Sequence, residues 1–243
     1  MQSIVDQKYW DDGYGSLVLE YDESTVPFRD IFHRFFPTGD YSCMEIGVYP
    51  GAISLYLGRH FGYTINGIDL SPHVRQLSVH MQANGVKTGE FFHGDFSEFR
   101  PPHQYDIVFS SGFIEHFDDV PGVIGKHIDL VKPGGLLFLA CPNFRGLHRI
   151  LHTIVDPENL RRHNLKAMDL SFWRDILHRG GMTVLHDGYY GTLDFWYDTP
   201  RDNRLARMIG RACQYTFRKA GHRLHFPNRF TSPYLVSLSR KER

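Results

Sequence analysis

Ser42-Cys43-Met44-Glu45-Ile46-Gly47-Val48-Tyr49-Pro50-Gly51 is the stretch on which the fold turns. An apolar strand ends in an acid and enters a glycine-bounded turn, and residues 52–60 then carry a helical pattern. Further on, the apolar run 63–68 ends in a second acid, Asp69. Two strands, two terminal acids and one glycine turn describe a nucleoside-binding crevice at the carboxyl edge of a parallel sheet, where open α/β folds place their ligands.

Outward from that stretch, strand-like and helix-like segments alternate regularly enough to predict a parallel sheet between helices. Ser71 and Pro72 supply an N-cap and a first-turn proline for a helix that runs to about Asn84-Gly85. Residues 90–93 form a short third strand ending at Gly94-Asp95, 105–110 a fourth, and 117–131 a helix. Pro133-Gly134-Gly135 turns the chain into 136–140, an uninterrupted apolar run suited to a central strand. A helix over 171–179, a strand from 182 and a last strand over 234–239 complete the pattern. Residues 1–40, 143–168 and 190–231 fall outside it, and additions of this kind usually shape the ligand edge.

Length and composition agree with one sizeable α/β core or two small ones, since 243 residues with 42% hydrophobic content are ordinary for a globular protein. No apolar run approaches the ~20 residues a membrane span needs, and the amino terminus, with Asp6, Asp11 and Asp12, lacks a signal-peptide pattern. A cytoplasmic protein is expected. Three cysteines far apart, Cys43, Cys141 and Cys213, indicate neither a disulfide framework nor a metal knuckle. A formal net charge of zero argues against a whole-protein nucleic-acid binder. Oligomeric state is left open.

The motifs in order resemble the class I S-adenosylmethionine-dependent methyltransferases, over roughly residues 40–190 and the last strand. Glu45 to Gly51 resembles that family's acid-x-Gly-x-Gly-x-Gly loop, with Tyr49 in place of the middle glycine. Asp69 matches the acid closing the second strand, Gly94-Asp95-Phe96 the third-strand motif, and Tyr105 to Ser110 the fourth strand. Phe113-Ile114-Glu115-His116-Phe117 is similar to the Glu-His stretch of the small-molecule and glycan branch, and Leu130 to Gly135 to the turn before strand five. A nicotinamide dehydrogenase, the other reader of a glycine turn plus an acid, would need a Gly-x-Gly-x-x-Gly spacing that is absent here.

The resemblance implies an α/β, Rossmann-like seven-stranded methyltransferase sheet with helices on both faces. It would comprise an N-terminal lid, 1–40, and a methyltransferase domain, 41–243, with insertions at 143–168 and 190–231. It implies S-adenosyl-L-methionine as cofactor, held by Glu45, Gly47, Tyr49, Gly51, Asp69, Leu70, Asp95, Phe96, Ser110 and Ser111. Asp69 would take the ribose hydroxyls, Asp95 the adenine amino group, Leu70 and Phe96 the ring faces, and the Ser110-Ser111 edge the methionine ammonium. Gly47 and Gly51 would let backbone approach the nucleoside without a β-carbon.

Methyl transfer to an oxygen or nitrogen of a small molecule or glycan is the expected activity. A sulfonium methyl is already activated, so the protein chiefly positions the acceptor. A base helps only where that acceptor must lose a proton. His116 is the candidate base, because an unperturbed imidazole titrates near neutrality, and Glu115 the neighbour that orients it. A structural role for His116, bonding a backbone carbonyl, stands beside that reading. Tyr9, Trp10 and Tyr14 are candidate lid aromatics. His148, His152 and His163 are expected to be solvated surface residues, and no metal is expected.

Residues 201–219 read as a basic amphipathic helix, with Leu205, Met208, Ile209, Ala212 and Tyr215 recurring at helical spacing among arginines. It could pack as a lid with a solvated arginine face, rest peripherally on an anionic membrane surface, or bind a lipid-linked or nucleic-acid acceptor. Phe195-Trp196-Tyr197 upstream suits a sugar ring or the underside of the insertion. A non-catalytic nucleotide-binding protein is the remaining alternative.

Overall fold

The computed structural model describes residues 1–5, 21–198, 200–221 and 225–243. Seven strands, β1 (Ser42–Ile46), β2 (Thr64–Asp69), β3 (Thr88–His93), β4 (Tyr105–Ser111), β5 (Val131–Pro142), β6 (Met182–Tyr190) and β7 (Tyr234–Lys241), form one sheet of order β3-β2-β1-β4-β5-β7-β6. Eight α-helices lie among the described residues: α1 (Arg29–Phe35), α2 (Ala52–Phe61), α3 (Val74–Ala83), α4 (Val120–Leu130), α5 (Gly146–Val155), α6 (Pro157–Arg161), α7 (Leu170–Arg179) and α8 (Arg204–Gly221). Strands β3, β2, β1 and β4 pair in parallel, with Glu45 opposite Gly67 on one side and Phe109 on the other. Because β2 and β4 flank β1, the strand order reverses there, and that reversal opens the ligand crevice of doubly wound sheets.

By packing, the chain divides into two compact units. The first comprises Val5–Ser111, Gly125–Phe138 and Arg240–Arg243. Its strands β1 and β4 are buried along most of their length, as parallel strands covered on both sides must be. The chain before β1 contributes to this core: Phe28, Phe32 and Phe36 on and around α1 pack on Phe138, with ring centroids 5.5, 5.3 and 6.2 Å away. A lid assignment therefore does not describe residues 28–36. The aromatic candidates Tyr9, Trp10 and Tyr14 lie outside the described residues.

Local chemistry moves some element boundaries. The helix expected over 117–131 starts later, at Val120, because Phe117 is extended and the Asp119 carboxylate accepts the Gly122 N–H at 2.9 Å. Strand β5 begins before the glycine pair, at Val131. Its Lys132 ammonium lies 2.9 Å from Asp106 of β4, which anchors the strand at its start.

The second unit comprises Met1–Ile4, Gly112–Ile124 and Leu139–Ser239. Ser3 bridges Phe117 in antiparallel fashion, and the Ile4 N–H donates to the His116 carbonyl at 2.9 Å. Leu151, Val155 and Phe195 form a small core joined by Leu147, Tyr197, Ile209, Cys213 and Phe217. Helix α8 docks on it through Ile209, Gly210, Cys213 and Phe217, so that of the stripe expected from sequence Ile209 packs there while most of the packed face is different. Leu205, Met208 and Tyr215 are exposed instead. Gly210 explains the choice: a Cβ there would stand 2.7 Å from the Tyr197 ring and 3.0 Å from Val155, so only the glycine face can approach that closely.

The histidines of α5 overturn their expectation. His148 and His152 are fully buried, not solvated, because α5 turns its histidine face inward against Phe144, Phe195 and Trp196. No helix among the described residues is long and apolar enough to cross a membrane.

Candidate functional site

In the first unit, the carboxyl ends of β1, β2 and β3 and the turn after β1 carry the expected nucleoside-binding residues. Asp69 closes β2, and its two carboxylate oxygens accept the backbone N–H groups of Tyr49 at 2.9 Å and Ser71 at 2.7 Å. Burial pushes this carboxyl up, while the Ser71 and Tyr49 amides and His93 pull the other way. A carboxylate offers about four acceptor positions, so both oxygens retain lone pairs for a ligand's hydroxyls.

Glu45 lies beneath the same turn, buried, and takes the Ser54 hydroxyl of α2 on Oε2. Burial raises its carboxyl well above the ordinary range, the Ser54 bond opposes that, and the Asp69 charge adds to it. Glu45 thus ties the first strand to the helix behind the turn.

Tyr49 contributes differently from the glycine it replaces. Its amide holds Asp69, and its buried ring stands 5.9 Å from the His73 ring beside the start of α3. Gly47 keeps a positive φ of 73°. Gly51 also has a positive φ, 83°, and a Cβ on it would meet Leu77 and Met81 of α3 at 2.8–2.9 Å. What the bare Cα at 51 accommodates is thus a neighbouring helix.

Asp95 follows β3, exposed, with Oδ1 accepting the Ser97 N–H at 2.7 Å. Phe96 is buried edge-on against His127, with centroids 4.9 Å apart, and Lys126 stands 5.1 Å from its ring. The Leu70 carbonyl lies 3.0 Å from His93 Nε2. Ser110 is buried with its hydroxyl 3.0 Å from His127 Nε2, and Ser111 is half-buried at the end of β4. Motif spacing singles out none of His93, His127, Lys126 and His73. Each supports a site residue through a tertiary contact that no local motif announces.

In the second unit, the turn Ile114–His116 holds the candidate acid and base. Glu115 is fully buried, and neither of its carboxylate oxygens has a hydrogen-bond partner among the described residues. Burial lifts this carboxyl to about 8. His116 is also buried, its Nδ1 lies 3.0 Å from the Arg162 carbonyl, and burial together with the neighbouring His163 depresses it to about 3. Such an imidazole stays neutral across the physiological range. The expectation that His116 titrates near neutrality therefore fails, because desolvation penalises the imidazolium. The backbone-carbonyl contact offered as the structural reading is present.

The family described as "Methyltransferase domain" matches residues 21–187, more than half of the chain. The chain belongs to the methyltransferase-domain family, of the class I S-adenosylmethionine-dependent type. A ubiquinone biosynthesis O-methyltransferase from Citrobacter koseri is 27% identical over 158 residues, covering 59% of this chain and 64% of that protein. The chain thus spans just under two thirds of that relative's length.

Two solved structures share the fold. One, a SAM-dependent methyltransferase from Archaeoglobus fulgidus, has a TM-score of 0.58 at 17% identity, with 97% of this chain and 100% of that chain covered. The other is Phospholethanolamine N-methyltransferase 2 from Haemonchus contortus, in complex with phosphomonomethylethanolamine and S-adenosylhomocysteine. Its TM-score is 0.59 at 15% identity, covering 88% of this chain and 52% of that one.

The methyltransferase site fits a nucleoside on its own chemistry. Asp69 is positioned by two amides with acceptor capacity to spare, Asp95 stands exposed at the end of β3 on one side of it, and Gly47, after β1 on the other side, takes the left-handed turn conformation.

Proposed function

We propose that this methyltransferase uses S-adenosyl-L-methionine to methylate an oxygen or nitrogen of a small molecule or glycan, with oxygen favoured. The clamped Asp69 carboxylate at the strand reversal carries the cofactor side of this reading. The O-methyltransferase relative supports oxygen as the accepting atom.

When bound, the sulfonium supplies an activated methyl group, so the chain's work is to orient and to exclude water. Asp69 would grip the ribose hydroxyls, Asp95 would accept from the adenine amino group, and Leu70 and Phe96 would flank the ring. Ser110 and Ser111 would present the strand edge to the amino-acid tail, with Glu45 holding the loop between Gly47 and Gly51 in shape. Positioning of this kind supplies ~7 to 11 kcal/mol in favourable cases. Glu115 and His116 serve the acceptor: His116 stays neutral and accepts or orients, and its depressed basicity makes it a poor proton store.

Calorimetric titration with S-adenosylmethionine and S-adenosylhomocysteine tests these roles. Asp69→Ala is expected to weaken both ligands by at least tenfold, whereas His116→Ala spares binding and slows turnover. The opposite pattern overturns the assignment.

One observation favours a peripheral anionic partner for the same enzyme. On the solvent side of α8, exposed Arg204, Arg211, Arg218 and Lys219 lie among exposed Leu205, Met208 and Tyr215, a mixture suited to a negatively charged lipid surface. Co-sedimentation with anionic but not neutral vesicles, lost at high salt, is the expected result. Retention by neither vesicle type removes this part of the reading.

A further inference from the structure

Glu115, His116 and His163 each offer one ligand atom, and these atoms all lie within 4.8 Å of one another in the second unit. Glu115 and His116 come from the turn after β4, and His163 from the chain just beyond α6. The Glu115 carboxyl group is fully buried and neither of its oxygens has a hydrogen-bond partner among the described residues, with Oε1 3.9 Å from His116 Nε2. An unpaired buried carboxylate is costly unless a cation or donor set compensates it.

The two imidazoles are held as ligands are held. His116 Nδ1 faces the Arg162 carbonyl at 3.0 Å, and His163 Nδ1 faces the Asn159 carbonyl at 2.7 Å. A carbonyl only accepts, so each Nδ1 carries the proton and each Nε2 keeps its lone pair, which is the usual outer support of a metal-bound histidine. The two rings stand 4.6 Å apart. Backbone bonds pin both segments: Asn164 N–H donates to the Glu115 carbonyl at 2.7 Å, and the Asn164 side-chain amide to the Phe117 carbonyl at 2.8 Å. The donor atoms are therefore pre-positioned by main chain, not by long flexible side chains.

We propose that Glu115, His116 and His163 form a binding site for one divalent transition-metal cation of zinc type. Two imidazole nitrogens and one carboxylate are the donor set of open, three-ligand sites, which leave a position for an exogenous oxygen. The metal site does not depend on the methyl-transfer reading above.

Cobalt(II) serves as the probe, because its visible absorption reports coordination by nitrogen and oxygen donors without any turnover. The full chain, stripped with a chelator, is expected to take up one equivalent of Co²⁺ with strong visible bands, and one equivalent of Zn²⁺ to abolish them. His163→Ala and, separately, Glu115→Gln should weaken Co²⁺ binding at least ~100-fold, while His178→Ala, at an exposed position on α7, changes nothing. Circular dichroism and S-adenosylhomocysteine titration of each variant confirm that it is folded. Absence of bands in the wild-type chain, or bands that survive His163→Ala and Glu115→Gln, overturns the site. Loss of nucleoside binding with the bands intact would instead count against the proposed function alone.

Discussion

At Gly51 a single hydrogen in place of a side chain serves the packing of α3 on the turn after β1. With φ at 83° and atoms of Leu77 and Met81 within 2.9 Å of the place a Cβ would take, any side chain there is both strained and crowded. Gly51→Ala is expected to destabilise the chain by about 1 to 3 kcal/mol, read as a lower urea midpoint at unchanged m-value; an unchanged midpoint would refute the crowding. The sequence motif marks this glycine but ascribes its bareness to the cofactor alone. A motif records that Gly is required, whereas only the neighbours of the Cα say what requires it. Glu115 and His116 show the same limit. Their side-by-side position is plain in the sequence, while their burial, and the third member His163, depend on where α6 brings the chain.

Elements are legible wherever one periodicity and one boundary signal agree. Strand β1, helix α2 and helix α3 fall close to their expected ranges because glycine, serine and proline punctuate them. Helix α8 is legible as a helix but not in its orientation, since two apolar stripes compete on its surface and hydropathy does not rank them. Gly210 decides by permitting close contact with Tyr197 and Val155. Gly210→Leu should therefore unseat α8, costing about 1 to 3 kcal/mol and raising proteolytic cleavage within 204–221, whereas Met208→Ala on the exposed stripe should change stability by less than about 0.5 kcal/mol. Equal effects of the two substitutions would contradict the docking described. Helix α7 offers a simpler case: Asp169 caps it through the Ser171 and Phe172 N–H groups and pairs with Arg145 at 2.9 Å. Asp169→Ala is expected to cost about 1 kcal/mol by loss of the cap, measured by thermal unfolding.

Over the whole molecule, buried imidazoles should make stability fall in mild acid. Burial depresses His148, and depresses His152 to about 4, with His148 and His163 adding to the push on His152 and Asp156 opposing it. Between the ordinary histidine value near 6.5 and about 4, the unfolded chain binds a proton on His152 that the folded chain refuses. Stability is therefore complete above that window and is lost as pH drops through it. Chemical denaturation at a series of pH values should show this slope, and His152→Gln should flatten it; an unaltered slope would place the acid sensitivity elsewhere.

Local sequence was enough to specify the strands of the sheet and the acids at the ends of β1 and β2, because strand periodicity and glycine turns are properties of neighbouring residues; the strand order that reverses beside β1 is a tertiary outcome. Long-range packing settled which face of α8 is buried, why the α5 histidines are dry, and that Glu115, His116 and His163 converge. Those outcomes depend on contacts between residues far apart in the chain, and side-chain volume and desolvation at such contacts leave no periodic trace along it.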